Sequence, residues 1–96
     1  MVVGICTIRL SIPANHDLKG KRRVLQSLMA KMRESFNVSV AEVDEQDKWQ
    51  AATLGVVAVS SDQAYLHGLL TKVVNSLEQA RSDASLLDFE IEMLGV

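Results

Sequence analysis

The strongest constraint on the fold is the change of hydrophobic period along the chain. Two stretches repeat their apolar residues at helical spacing, one from residue 18 to about 36 and one that follows Ser60. Four other stretches alternate with period two, which is typical of β-strands. These predicted strands are 2–12, 38–43, a third that begins at 49 or 50 and reaches 59, and 87–93. The predicted order is strand, helix, strand, strand, helix, strand.

This order predicts an α+β, ferredoxin-like βαββαβ domain, with two helices on one face of a four-stranded mixed sheet. The length fits a single domain over residues 1–96. Apolar residues on both faces of the third strand make it a central strand, although the sequence leaves open which face the helices cover. Ser60 and Gln63 match a capping box for the second helix, and residues 81–85 are predicted to form a turn.

Four cations crowd the first turns of the first predicted helix: Lys19, Lys21, Arg22 and Arg23. A helix N-terminus is positively polarised, so each cation placed there costs roughly 0.3–1 kcal/mol at low salt. Asp17 or Asn15 can cap the helix and offset part of this cost. The remaining positive charge favours an anion, and phosphate is the commonest one. The alternative is a solvated charged face without a ligand.

The basic residues also form a stripe along the helix. At 100° per residue, Arg33 falls on the same flank as Lys19, Arg22 and Arg23. Lys21 points nearer the apolar side, so it either reaches past the end of the sheet to solvent, which we expect, or enters a site there.

Charge is unevenly divided along the chain. Residues 1–40 hold seven Lys and Arg against two carboxylates, whereas residues 41–96 hold three against ten. This asymmetry can steer a polyanion towards one side of the molecule. We therefore predict an RNA- or ribosome-associated domain that binds the phosphate backbone, with Lys19, Lys21, Arg22, Arg23 and Arg33 as the nucleic-acid-binding residues.

Catalytic and metal-binding patterns are weak. Cys6 lies within a predicted strand and faces the expected core, far in sequence from His16 and His67. The acidic run 42–47 does not match a calcium loop, and no glycine-rich phosphate loop, CxxC or HExxH motif is present. The residues thus favour a non-enzymatic protein with no metal and no cofactor.

The sheet face opposite the helices does not resemble an RNA-recognition module. Such modules stack bases on aromatic residues of the central strands. Here the first strand has no aromatic residue, and the last strand would place Asp88, Glu90 and Glu92 on the open face, where they repel phosphate. Any RNA contact must come from the first helix and nearby loops. The open face is either a candidate dimer interface, through Ile5, Thr7 and either Val57 or Leu54, or a mixed face exposed to solvent.

The charged loop before the third strand supports a second hypothesis. Trp49 follows Asp44 and Asp47, and an aromatic residue on a loop is a frequent anchor of protein interfaces. In this alternative the chain is a protein-binding or dimerising module that uses Asp44, Asp47, Trp49 and the open sheet face.

Two stretches carry a family pattern, HDLKGKRRVL at 16–25 and FNVSVAEVDEQDKWQ at 36–50. They resemble the YlxP-like family of small bacterial proteins, a domain-of-unknown-function family. The resemblance implies a ferredoxin-like fold, no established enzyme activity, and genes that often neighbour those of a translation initiation factor and ribosome-binding factor A. That context suggests ribosomal RNA or the ribosome as partner. The family's motif residues, which have no assigned role, correspond to Leu18, Lys19, Lys21, Arg22, Arg23, Glu42, Asp44, Gln46, Asp47 and Trp49.

The sequence also carries expectations about location. One cysteine excludes an internal disulfide and suits a reducing compartment. No segment reaches the roughly 18 apolar residues of a membrane span, and residues 1–10 lack the features of a secretory signal. We expect a cytoplasmic protein with no membrane contact, as a monomer or a homodimer.

Overall fold

The computed structural model describes residues 1–80 and 82–96 and contains six regular elements in the predicted order. They are β1 (Val2–Ser11), α1 (Leu18–Ser35), β2 (Ser39–Asp44), β3 (Ala51–Ser60), α2 (Gln63–Gln79) and β4 (Ser85–Gly95). The predicted βαββαβ fold is confirmed. Arg81, which we assigned to the turn before β4, lies outside the described residues.

The four strands form one sheet in the order β2-β3-β1-β4, and all three neighbouring pairs are antiparallel. The prediction of a mixed sheet is therefore wrong. Each helix joins two strands that run in the same direction, β1 to β2 and β3 to β4. In both cases another strand lies between the two, so no adjacent strands are parallel.

The core lies between the helices and one face of the sheet. Gly4 of β1 lies beneath α2, where a Cβ atom would come within 2.8 Å of Leu66 Cγ and Leu70 Cδ1. The absence of a side chain at Gly4 therefore lets α2 approach the sheet closely. The helices cover most of their predicted apolar sides, although Leu18 at the start of α1 is 39% exposed, and eight apolar residues of the two helices are buried. Those residues are Leu25, Leu28 and Met32 of α1 and Leu66, Leu70, Val73, Val74 and Leu77 of α2.

The register of β3 decides which of its faces is covered. Leu54 is directly opposite Ile8 of β1, and both side chains are fully buried. Val57 lies on the other face and is 38% exposed. Directly opposite residues of an antiparallel pair share a face. Leu54 therefore belongs to the core, and its suggested place on the open face is wrong.

Both helices begin at an aspartate. The side chain of Asp17 accepts a hydrogen bond from the Gly20 N–H at 2.6 Å and caps α1, as one of our two alternatives predicted. Asp62 caps α2 by accepting from two backbone N–H groups. The predicted capping box is wrong, because the N-cap of α2 is Asp62 and not Ser60. Ser60 Oγ instead accepts a hydrogen bond from the N–H of Asp62, which precedes the first residue of the helix.

Candidate functional site

Three of the predicted basic residues lie on the surface of α1. Lys19, Arg22 and Arg23 are exposed. Within residues 1–80 and 82–96, none of them forms an ion pair. Their positive charges are therefore available to a ligand, close to a helix end that already carries partial positive charge.

Lys21, the fourth cation of the first turns, is buried instead. Only 2% of it is exposed, and its Nζ lies 2.6 Å from the Glu45 carbonyl oxygen and 2.7 Å from the Lys48 carbonyl oxygen. Glu42 Oε2 is 2.9 Å away and supplies the counter-charge, although it makes no well-directed hydrogen bond to a described residue. Lys21 enters a site rather than reaching solvent. With its ammonium group enclosed by three protein oxygens, it is not placed to contact a phosphate.

Arg33 lies near the other end of α1 and joins the helix to the sheet. One guanidinium nitrogen donates to the Val40 carbonyl oxygen of the edge strand β2 at 2.8 Å. The residue remains exposed, and a guanidinium group has five N–H donors. Arg33 can therefore keep this contact and still extend the basic stripe.

The loop between β2 and β3 neutralises part of its own acidic charge. Glu45 adopts a left-handed backbone conformation (φ 62°), and the Lys48 N–H donates to the Glu45 carbonyl oxygen at 3.1 Å. The Glu45 carboxylate accepts from Thr53 Oγ1 at 3.1 Å and lies 3.6 Å from Lys48 Nζ. Asp44 and Asp47 remain exposed.

Hydrogen bonds join this loop to the start of α1. Asn15 Nδ2 donates to both the Asp17 and the Trp49 carbonyl oxygens, each at 2.6 Å. Gln50 Nε2 donates to the Pro13 carbonyl oxygen at 3.2 Å and to the Asn15 carbonyl oxygen at 3.1 Å. The loop between β2 and β3, residues 45–50, is called the Trp49 loop below. It therefore lies beside the basic residues of α1, although the sequence suggested these two surfaces as alternative sites.

Sequence reasoning missed Asn15 and Gln50 as the residues that hold the two loops together. Each uses its side-chain amide to reach backbone carbonyl oxygens of a distant segment. An amide that binds backbone leaves no pattern in the sequence. The YlxP-like pattern, which includes Gln50, was the one available signal.

An exposed aromatic side chain, Trp49, and a small cleft lined by Arg23 lie near the contact between the Trp49 loop and the start of α1. Trp49 is 53% exposed. Arg23 and Asp83 line a cleft of about 220 Å³ beside the start of α1. This volume is smaller than the roughly 300–1,000 Å³ of typical small-molecule sites. The exposed side chains, rather than the cleft, are thus the main feature of this region.

The remaining candidates for chemistry lie elsewhere. Cys6 is fully buried, and its burial raises the pKa of the thiol to about 11, so it is not an activated nucleophile. In the part of the chain that the structure describes, no group of three or more His, Cys, Asp or Glu residues is placed to hold a metal ion. None of the described helices is long and apolar enough to cross a membrane.

Solved structures include a chain that is similar to this one. It is LarC2, the C-terminal domain of a cyclometallase involved in the synthesis of the NPN cofactor of lactate racemase, in its apo form. The TM-score is 0.49 and the sequence identity 11%, and the match covers 98% of this chain and 55% of that one.

Sequence comparison identifies the family. Among curated proteins, the chain is similar to "Uncharacterized protein YlxP" of Bacillus subtilis (strain 168), with 39% identity over 58 residues. The match covers 60% of this chain and 63% of the relative, so it spans less than two thirds of that protein. A family model described as "Protein of unknown function (DUF503)" matches residues 3–91. The resemblance to the YlxP-like family is thereby confirmed, and the chain belongs to the DUF503 family.

Proposed function

We propose that this domain binds RNA through its phosphate backbone, with Lys19, Arg22 and Arg23 as the main contacts. The observation that carries the proposal is the exposure of these three cations without a protein ion pair in the described residues. Lys21 is left out of the contact set because protein oxygens surround its ammonium group.

The geometry of α1 supports a contact with several phosphates. Arg33 lies on the same flank as the three cations, fourteen residues after Lys19. At a rise of 1.5 Å per residue, the stripe is about 21 Å long. The ribosomal context that the family resemblance implies makes ribosomal RNA the first ligand to test.

The test is a titration of labelled ribosomal RNA at several salt concentrations between 50 and 300 mM, with two matched variants. Arg22→Glu and Lys72→Glu each replace an exposed cation by a carboxylate, but Lys72 lies on α2. Three phosphate contacts predict a slope of log K against log salt near −2, at about −0.7 per contact with single strands. Arg22→Glu should weaken binding about tenfold or more at low salt, because it removes a charge-assisted contact.

Two results would contradict the proposal. One is the absence of binding at 50 mM salt. The other is an equal loss of affinity in Arg22→Glu and Lys72→Glu, since that would show dependence on net charge rather than on the α1 surface.

A second candidate function is protein binding or dimerisation through the Trp49 loop and the open sheet face. The observation in its favour is apolar exposure, with Trp49 53% exposed, Val59 62% and Leu94 51%. If the open face joins two copies, sedimentation should show a concentration-dependent dimer that Val57→Glu abolishes. If Trp49 with Asp44 and Asp47 anchors a protein partner, Trp49→Ala should weaken binding of that partner and leave the salt dependence of RNA binding unchanged.

A further inference from the structure

The edge of β4 offers a long row of backbone groups to another strand. β4 spans Ser85–Gly95 and pairs with β1 on one side, and no other described strand pairs with it. Alternate N–H and C=O groups of such a strand point away from the sheet. The only irregularity of its pairing lies at one end, opposite the Arg9–Leu10 step, so the stretch from residue 88 onwards is regular.

The two faces of this regular stretch differ in chemistry. Glu90 and Glu92 lie on the open face, opposite Thr7 and Ile5, and neither forms an ion pair within the described residues. Asp88 is on the same face, 3.4 Å from Arg9. The helix face carries apolar side chains that the helices leave partly exposed. They are Phe89, which is 46% exposed, and the half-buried Ile91 and Met93.

This pattern disfavours a second copy of the chain at the β4 edge. When two antiparallel strands pair, directly opposite residues share a face. Two β4 strands paired about residue 90 or 91 would therefore set Glu90 and Glu92 against carboxylates of the other copy, which is destabilising. Pairing of β4 with β2 of a second copy, at the opposite edge of the sheet, would not supply positive charges either, because β2 (Ser39–Asp44) contains no Lys or Arg.

We propose that the β4 edge binds an extended protein segment in which Lys or Arg alternates with apolar residues. The segment adds an antiparallel fifth strand through the outward backbone groups. Its cations lie opposite Glu90 and Glu92, and its apolar residues lie beside Phe89, Ile91 and Met93. This interaction uses none of the α1 cations and does not depend on RNA binding.

The experiment uses the full chain, ¹⁵N-labelled, and a blocked synthetic peptide with the core Val-Lys-Val-Lys-Val. Heteronuclear NMR should show shift changes along β4 and slower exchange of its outward amides. One control peptide has Glu in place of Lys. The other has the same composition in the order Lys-Lys-Val-Val-Val, which destroys the alternation but keeps the charge.

A protein variant tests the charge partners. Replacing both carboxylates, Glu90→Gln with Glu92→Gln, should lower the affinity for the Val-Lys-Val-Lys-Val peptide by roughly 2- to 30-fold, because each pair of opposite charges on facing strands contributes a modest free energy. A peptide with Gln in place of Lys should show a matching loss on the unchanged protein, which controls for any effect of the substitutions on folding. Arg22→Glu should leave peptide binding unaltered.

Three outcomes would overturn the proposal. They are no shift of β4 resonances at millimolar peptide, equal binding of either control peptide, and shifts that centre on a surface other than β4. Each would show that the edge does not select an alternating basic strand.

Discussion

Lys21→Met is the substitution with the most informative expected effect, because it removes a buried charge and keeps the side-chain stem. The Lys21 ammonium lies between the carbonyl oxygens of Glu45 and Lys48 and the carboxylate of Glu42. Methionine can fill the space of the aliphatic stem but offers no hydrogen-bond donor. The Lys48 carbonyl group and the Glu42 carboxylate would then lose the ammonium, whereas the Glu45 carbonyl oxygen would keep the Lys48 N–H as a donor.

The magnitude follows from the burial of each group. Removing one partner of a fully buried ion pair costs about 3–5 kcal/mol. Here the Lys21 side chain is 2% exposed and that of Glu42 is 23% exposed, but Glu42 Oε2 itself is buried, so water can solvate only the rest of this side chain. We therefore expect Lys21→Met to lower the free energy of unfolding by about 2–4 kcal/mol.

Urea unfolding followed by far-UV circular dichroism measures this free energy. Lys19→Met is the matched control, because it makes the same chemical change in the same helical turn at an exposed position. We expect it to stay within about 0.5 kcal/mol of the unchanged protein. A loss below about 1 kcal/mol for Lys21→Met, or equal losses in the two variants, would refute the structural role of the buried ammonium.

Two further predictions concern glycine and cysteine. Gly20→Ala should destabilise the protein by about 1 kcal/mol in urea unfolding, since a Cβ would collide with the Asn15 side chain and approach Asp17 Oδ1 to 2.9 Å. Gly68→Ala should stabilise the protein by about 0.5–1 kcal/mol, because nothing lies within 4 Å of the new Cβ and alanine favours a helix. A change in the free energy of unfolding that has the same sign in both variants would contradict this reasoning. Burial raises the pKa of the Cys6 thiol from an ordinary value of 9.0 to about 11, so this thiol stays neutral in the folded state at pH values where the unfolded thiol ionises. The stability that the neutral thiol provides is complete below pH 9 and is lost as the pH rises to 11, by up to roughly 3 kcal/mol. The free energy of unfolding, measured relative to that of Cys6→Ala, should therefore fall between pH 9 and pH 11. Parallel pH profiles of the two proteins would contradict this prediction.

The sequence predicted the order and approximate bounds of all six elements, because hydrophobic periodicity is a local property. It also identified the α1 cations, of which Lys19, Arg22 and Arg23 are exposed. It was wrong about the start of α2, where Ser60 and Asp62 are both plausible caps. The backbone conformation determines that Asp62 accepts from the first free N–H groups.

Lys21 shows why the candidate site could be predicted only in part. Its position on the helix indicates that it points towards the apolar side, but its partners are mainly backbone carbonyl oxygens of the loop at 45–48. Every residue has a carbonyl group, so no residue type in the sequence marks these partners. The same reasoning applies to the contacts of Asn15 and Gln50.

The sequence by itself thus determined the α+β class, the amphipathic helices and the division of charge between the two parts of the chain. The tertiary structure alone decided which face of β3 is covered, that β4 is an open edge, and that the Trp49 loop lies beside the start of α1. The reason is the range of the forces involved. Periodicity and capping depend on neighbouring residues, whereas strand register, edge position and loop contacts depend on packing between segments that are distant in the chain.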